Sequence, residues 1–280
     1  MIARADLLEW RNSGHPWRTD AMVEQDLILS RILVDLFSEP TLQDQLIFRG
    51  GTALHKLCFA SPLRYSEDID LVQRNTGPIG PIFDALRNVL GPWLGETPSR
   101  KQGPGVVNLI YRVQSEDTPP LNLRIKIEIN TREHFQMLPL QQHQFEITSR
   151  WFTGSAKITT YAIEELLATK LRALYQRRKG RDLFDLAAAL RQLSPNPHGI
   201  VNTFQRYMEA EGQKITKVVF LENLQNKYEH PAFMEDCLPL LRPGATFDLS
   251  QDANLIEKTL VALLPSPEHK KQNARYKEAQ

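Results

Sequence analysis

The sequence predicts an α/β (α+β) first half built on a small mixed sheet, followed by a mainly helical second half. Three observations carry this. Residues 106–113, VVNLIYRV, and 121–129, LNLRIKIEI, have the apolar pattern of strands, and 64–73, RYSEDIDLVQ, alternates with a period of two. Helical spacing of apolar residues separates these runs, over 21–38 and 81–94. From Tyr161 onward the spacing is helical throughout. The expected organisation is a core domain over 1–155, a helical domain over 156–265 and a polar, flexible tail over 266–280.

Taken in chain order, 21–38 places Leu27, Ile28, Ile32, Leu33 and Phe37 on one helical face. LIFRGGTALHKLCF then reads as a strand, a tight turn at Gly50 and Gly51, and a helix opening near Thr52. In RYSEDIDLVQ, Arg64, Ser66, Asp68 and Asp70 share one face, and Ile69 and Leu71 the other. In LNLRIKIEI, Arg124, Lys126 and Glu128 face one way, opposite Ile125, Ile127 and Ile129. Helices are expected over 161–178 and 181–193, then over 200–211, 214–228, 231–241 and 253–264.

The composition narrows the function classes. With 280 residues, 41% of them hydrophobic and 24% charged, the chain can bury a real core. A net charge of +1 excludes a polybasic, histone-like protein. Cys58 and Cys237 lie far apart and provide neither a disulfide framework nor a zinc spacing, so a reducing compartment is expected. Acidic residues near the start replace the apolar run of a signal peptide, and no stretch approaches the roughly 20 apolar residues of a membrane span. The expected location is the cytoplasm. The seven histidines form no H-E-x-x-H motif, and no G-x-S-x-G elbow occurs.

The D-I-D strand invites a specific chemistry. Two carboxylates about 7 Å apart on one face of a strand repel and raise each other's pKa. A divalent cation removes that penalty, and Mg²⁺ (or Mn²⁺) takes hard oxygen ligands from one or two carboxylates and substrate phosphates. Glu128 is the best third acid for a two-metal clamp. The competing reading leaves all three acids on a solvated sheet face. Upstream, the Gly50–Gly51 turn and the helix start at Thr52 can approach a phosphate closely, although they form no Walker A loop. An ordinary turn capped by Thr52 is the alternative.

A second anomaly lies in the helix at 161–178. Lys170 falls within the apolar stripe of Ile163, Leu166, Leu167, Leu171 and Leu174, where it must snorkel, find a counter-charge or meet a ligand. Downstream, Asp182 stands at a helix start, while Asp185 is read on the polar face one turn on. Six cations and no acid occupy 170–181. They mark a solvated helix end or a surface for a polyanion, with Arg177, Arg178 and Arg181 as its contacts.

Together, G-G-T…S-x-D-x-D-L and T-K-L…R-D-L-F-D-L resemble the AbiEii/AbiGii-type nucleotidyltransferase toxins, within the DNA polymerase β-like nucleotidyltransferase superfamily. The resemblance covers about residues 45–190. It implies that Gly50, Gly51, Thr52 and Ser66 hold a nucleoside triphosphate, and that Asp68, Asp70 and Glu128 bind the metal. Lys170 would contact phosphates, and Asp182 or Asp185, both eligible, would supply a further active-site acid. It also implies transfer of NMP to an RNA acceptor, with the tRNA 3′ end the leading candidate, and restraint by a cognate antitoxin protein. Two other functions fit the same residues: a small-molecule nucleotidyltransferase of the aminoglycoside-inactivating kind, and a non-catalytic nucleotide- or RNA-binding protein.

Overall fold

The computed structural model describes residues 2–95, 97–116 and 119–266. Beyond Ser266, the polar tail expected over 266–280 lies outside the described residues. The first half runs α1 (Arg4–Asn12), α2 (Asp20–Ser38), α3 (Pro40–Gln45), β1 (Leu46–Arg49), α4 (Gly50–Ala53), β2 (Asp68–Gln73) and α5 (Gly80–Leu94). Five strands follow: β3 (Ser99–Gly103), β4 (Val106–Gln114), β5 (Asn122–Asn130), β6 (Gln141–Thr148) and β7 (Thr153–Thr160). The remainder is helical, with α6 (Ile163–Gln176), α7 (Gly180–Gln192), α8 (Pro197–Ala210), α9 (Lys217–Tyr228), α10 (Pro231–Glu235) and α11 (Leu249–Thr259). A π-turn, Leu54–Cys58, extends α4.

All strands join one seven-stranded mixed sheet in the order β3-β4-β5-β2-β1-β7-β6. β2 sits at its centre, antiparallel to β1 and parallel to β5. Alternation then sorts side chains by face: Ile69, Ile125, Ile127 and Ile129 are fully buried, while Asp68, Asp70, Lys126 and Glu128 remain partly open on the other face. β3, β6 and β7 go beyond the strands expected from the sequence. QQHQFEIT forms an edge strand with most residues exposed, so it carries no apolar alternation to read.

Two hydrophobic cores divide the chain. One gathers residues from Ile2 to Leu166, with α2 buried at its centre; the other runs from Leu167 to Leu264 and takes in Leu54 and Phe59. The division expected at 155/156 therefore falls inside β7, whose residues pair with β1 and β6, and the two cores meet within α6. Glu165 binds the halves together. Fully buried, it accepts hydrogen bonds from the backbone N–H groups of Met137 (2.8 Å) and Leu138 (2.9 Å) and from the Tyr207 hydroxyl (2.6 Å). Among the described residues, no helix is long and apolar enough to cross a membrane.

Candidate active site

The parallel register of β2 and β5 sets Asp70 opposite Glu128 and Asp68 opposite Lys126. All four side chains rise on one face, beside the turn that leaves β1. Gly50 there has φ +82°, and a Cβ on it would lie 2.2 Å from Asp70 Oδ2. A Cβ on Gly51 would lie 2.5 Å from Arg64 Nη2 and 3.4 Å from both Lys170 Nζ and Ser66 Oγ. One glycine thus makes room for an acid and the other for a guanidinium. Thr52 is buried, and its hydroxyl donates to the Asp68 carbonyl, so the 2.7 Å contact with Ser66 has Ser66 as donor. Its hydroxyl fastens the turn to the start of β2.

The helical half supplies the opposite wall. Lys170 finds counter-charges, lying 2.8 Å from Asp185 and 3.2 Å from Asp182. Asp182 also takes both Arg177 Nε (2.7 Å) and Nη2 (2.9 Å). Asp185 is not on a solvated face as the helix pattern suggested. It is fully buried, because that face of α7 meets Arg64, whose Nε and Nη2 reach it at 2.7 and 2.6 Å. His55 completes this arrangement with Nε2 at 2.9 Å from Asp185 Oδ1. Its Nδ1 accepts from the Leu63 N–H, so the Nε2 proton is donated to the carboxylate.

One polar cleft of about 180 Å³ unites these groups: it is lined by Asp68, Asp70, Lys126 and Glu128 on the sheet, by Gly51, Ser66 and Glu67, and by Arg64, Lys170, Arg177 and Arg181 opposite. Both members of the expected Asp182/Asp185 pair lie behind this lining, holding its cations in place. Arg178 is exposed outside it. A neighbouring cavity of about 370 Å³ shares Arg64 and Ser66 but is walled by Trp10, Trp17 and Phe59.

The charges are strongly conditioned. Burial, then Glu128 and Asp68, pushes the Asp70 carboxyl up from its ordinary value. Burial also raises Asp68, against the pull of Lys126. For Asp185 burial acts upward too, but Arg64, Lys170 and His55 outweigh it and hold the carboxyl well below its ordinary value. Burial lowers His55 from 6.5 to about 4, more than Asp185 restores.

A pH dependence follows from His55. Its folded value lies below its unfolded one, so stability is complete above pH 6.5 and declines as pH falls toward about 4, where the unfolded chain binds the extra proton. The decline amounts to roughly 3 kcal/mol. Urea titrations of wild type and His55→Gln at pH 7 and pH 4.5 check this: the variant should lose distinctly less stability between the two. Equal losses would show that His55 takes up its proton freely in the folded protein.

The cleft suits a divalent cation by its chemistry, with three carboxylates on adjacent strands, one of them raised by the other two. Among the described residues, no three His, Cys, Asp or Glu side chains already stand close enough to share a metal ion. Instead Lys126 reaches in among the acids, 2.9 Å from Glu128 Oε2 and 3.5 Å from Asp68 Oδ2.

Comparison with known proteins gives a family and a fold. The model of the family described as nucleotidyl transferase AbiEii toxin, type IV toxin–antitoxin system, matches residues 31–264. The nucleotidyltransferase toxin MenT4 from Mycobacterium tuberculosis has a similar structure: TM-score 0.66 at 17% identity, covering 95% of this chain and 91% of that one. JHP933 from Helicobacter pylori gives 0.53 at 15%, covering 86% and 90%. These two likenesses establish a shared fold. No curated protein sequence matches the chain.

Proposed function

The chain belongs to the AbiEii family of nucleotidyl transferase toxins of type IV toxin–antitoxin systems, and from this premise we propose that its polar cleft transfers NMP from an NTP to the 3′ end of a tRNA in the cytoplasm. The observation that supports this most directly is the division of the cleft. Carboxylates of β2 and β5, with Lys126 among them, form one wall, and cations anchored in the helical half form the other. An NTP carries both matching features, a polyphosphate for the cations and phosphate-bound Mg²⁺ for the acids.

In this reading Asp68, Asp70 and Glu128 are the metal ligands; the metal, when bound, neutralises phosphate charge and lowers the pKa of the attacking hydroxyl. The Gly50–Gly51 turn lets the triphosphate come against the backbone, with Ser66 beside it. Lys170 is held at the cleft by Asp182 and Asp185, and its charge offsets that of the phosphates. The acceptor 3′-hydroxyl forms a bond to the α-phosphorus while the bond to the pyrophosphate oxygen breaks, and pyrophosphate leaves. Catalysis rests on positioning and charge neutralisation. Arg177 and Arg181 at the cleft and Arg178 outside it are the proposed contacts for the acceptor backbone, and the family implies a cognate antitoxin as partner.

Incubating the purified protein with Mg²⁺, each labelled NTP in turn and total tRNA tests donor and acceptor together. Labelled tRNA and released pyrophosphate are expected. Label on an aminoglycoside supplied in a parallel incubation, with none on RNA, would establish the small-molecule alternative in its place.

A further inference from the structure

We propose that Lys126 is an internal stand-in for a divalent cation, bridging Asp68 and Glu128 until metal arriving with nucleotide displaces it. The proposal rests on the reading of the three acids as metal ligands. Lys126 lies on β5 opposite Asp68 and two residues before Glu128, so the strand period carries its ammonium to the same face as the acids. There Nζ sits 2.9 Å from one carboxylate and 3.5 Å from the other, which belong to different strands. A lysine at a half-open sheet face is free to extend into water; this one turns inward.

The other cations of the cleft have different partners. Lys170 is held by Asp182 and Asp185, Arg64 by Asp185, Arg177 by Asp182 and Arg181 by Asp236. Among the described residues lining the cleft, Lys126 is thus the cation paired with the β2 and β5 acids. With the one ammonium drawn between Asp68 and Glu128, the three carboxylates are not gathered to share an ion. Gathering them requires the ammonium to leave.

The strength of the bridge determines what it does. The Asp68 and Glu128 side chains remain 35% and 30% exposed, so water screens both contacts. Such a bridge is easily exchanged. It weakens metal binding to the empty cleft without preventing it, and the oxygens of an incoming triphosphate tip the balance. Metal and nucleotide then bind cooperatively, each favouring the state in which Lys126 has swung out.

Mn²⁺ binding to the nucleotide-free protein, followed by calorimetry and by the electron paramagnetic resonance of free Mn²⁺, tests this without any turnover. Lys126→Met should tighten Mn²⁺ binding about five-fold, the scale of a screened ion pair. Lys126→Gln should do the same, and Lys126→Arg should leave affinity near that of wild type. The gain in Mn²⁺ affinity that a non-hydrolysable NTP gives wild type should shrink in Lys126→Met. Unchanged or weaker Mn²⁺ binding in both Lys126→Met and Lys126→Gln, with normal melting curves, would overturn the proposal. Asp68→Asn separates the two readings: if it removes Mn²⁺ binding while Lys126→Met has no effect, only the stand-in role fails. If Asp68→Asn also has no effect, the metal site itself is misplaced.

Discussion

Replacing Asp70 by asparagine is expected to lower nucleotidyl transfer by about 10³-fold and leave the protein at least as stable as wild type. Asp70 is the most constrained of the three acids, set opposite Glu128 on one side and Arg49 on the other, with Gly50 packed against its carboxylate. Asparagine preserves the shape that Gly50 accommodates but removes the charge a cation needs. Loss of one preorganised electrostatic group at a reacting centre lowers turnover by about 10²–10³-fold; as a proposed metal ligand, Asp70 should be at the upper end. The stability effect runs the other way. The carboxyl is pushed up by burial and then by Glu128 and Asp68, so ionising it costs the folded state stability as pH rises through its folded value. At neutral pH asparagine avoids that cost. Initial rates of labelled NMP transfer and thermal melting, measured on one preparation, give both results. In cells, wild type but not Asp70→Asn should arrest growth. A variant within about tenfold of wild-type turnover would remove Asp70 from the chemistry.

The acid side of the cleft was legible in the sequence because it depends on local period. A strand of D-x-D places both carboxylates on one face, I-K-I-E-I places Glu128 on the same kind of face, and Gly50–Gly51 marks where β1 turns into α4. What could not be read is what spans long sequence distances or lacks periodicity. β7, TGSAKITT, is built of small and polar residues, yet it brings the chain back beside β1 and so fixes where α6 and Lys170 begin. Asp185 lies four residues from Arg181 in a helix whose apolar residues fall elsewhere, which makes its face look solvated. Its burial depends on Arg64, 121 residues earlier. Arg64 itself seemed to share a face with Asp68 and Asp70, but it precedes β2 and bridges to Leu241. A faint signal existed in His55 and Arg64, polar residues within nine positions of one another on either side of Leu57–Phe59, but no local rule pairs them with a particular acid. The same limit applies to Lys126, whose position on the acid face was legible but whose inward turn was not.

The link between Arg64 and Asp185 also gives the largest expected effect on stability. Asp185→Ala should destabilise the protein by about 3–5 kcal/mol, the range for breaking a buried ion pair by removing one partner. Asp185 is fully buried and receives Arg64 at two oxygens, Lys170 at 2.8 Å and His55 at 2.9 Å. Alanine leaves Arg64, itself only 2% exposed, with the Tyr65 carbonyl, and leaves Lys170 with Asp182 at 3.2 Å. Two cations then share too little negative charge in a place water barely reaches. Against a typical folding stability of about 5–15 kcal/mol, such a loss is a large fraction of the whole. Activity should fall as well, because Arg64 packs against Gly51 and Lys170 lines the cleft. Asp185→Asn, which keeps the shape and one acceptor oxygen, should lie between wild type and alanine. Urea midpoints order the three proteins, and transfer rates well below each midpoint show how far the folded variants retain the cationic wall of the cleft. If Asp185→Ala cost less than about 1 kcal/mol, the network would have to be as weakly held as an exposed ion pair, and the helical half could not be positioning Lys170 by this route.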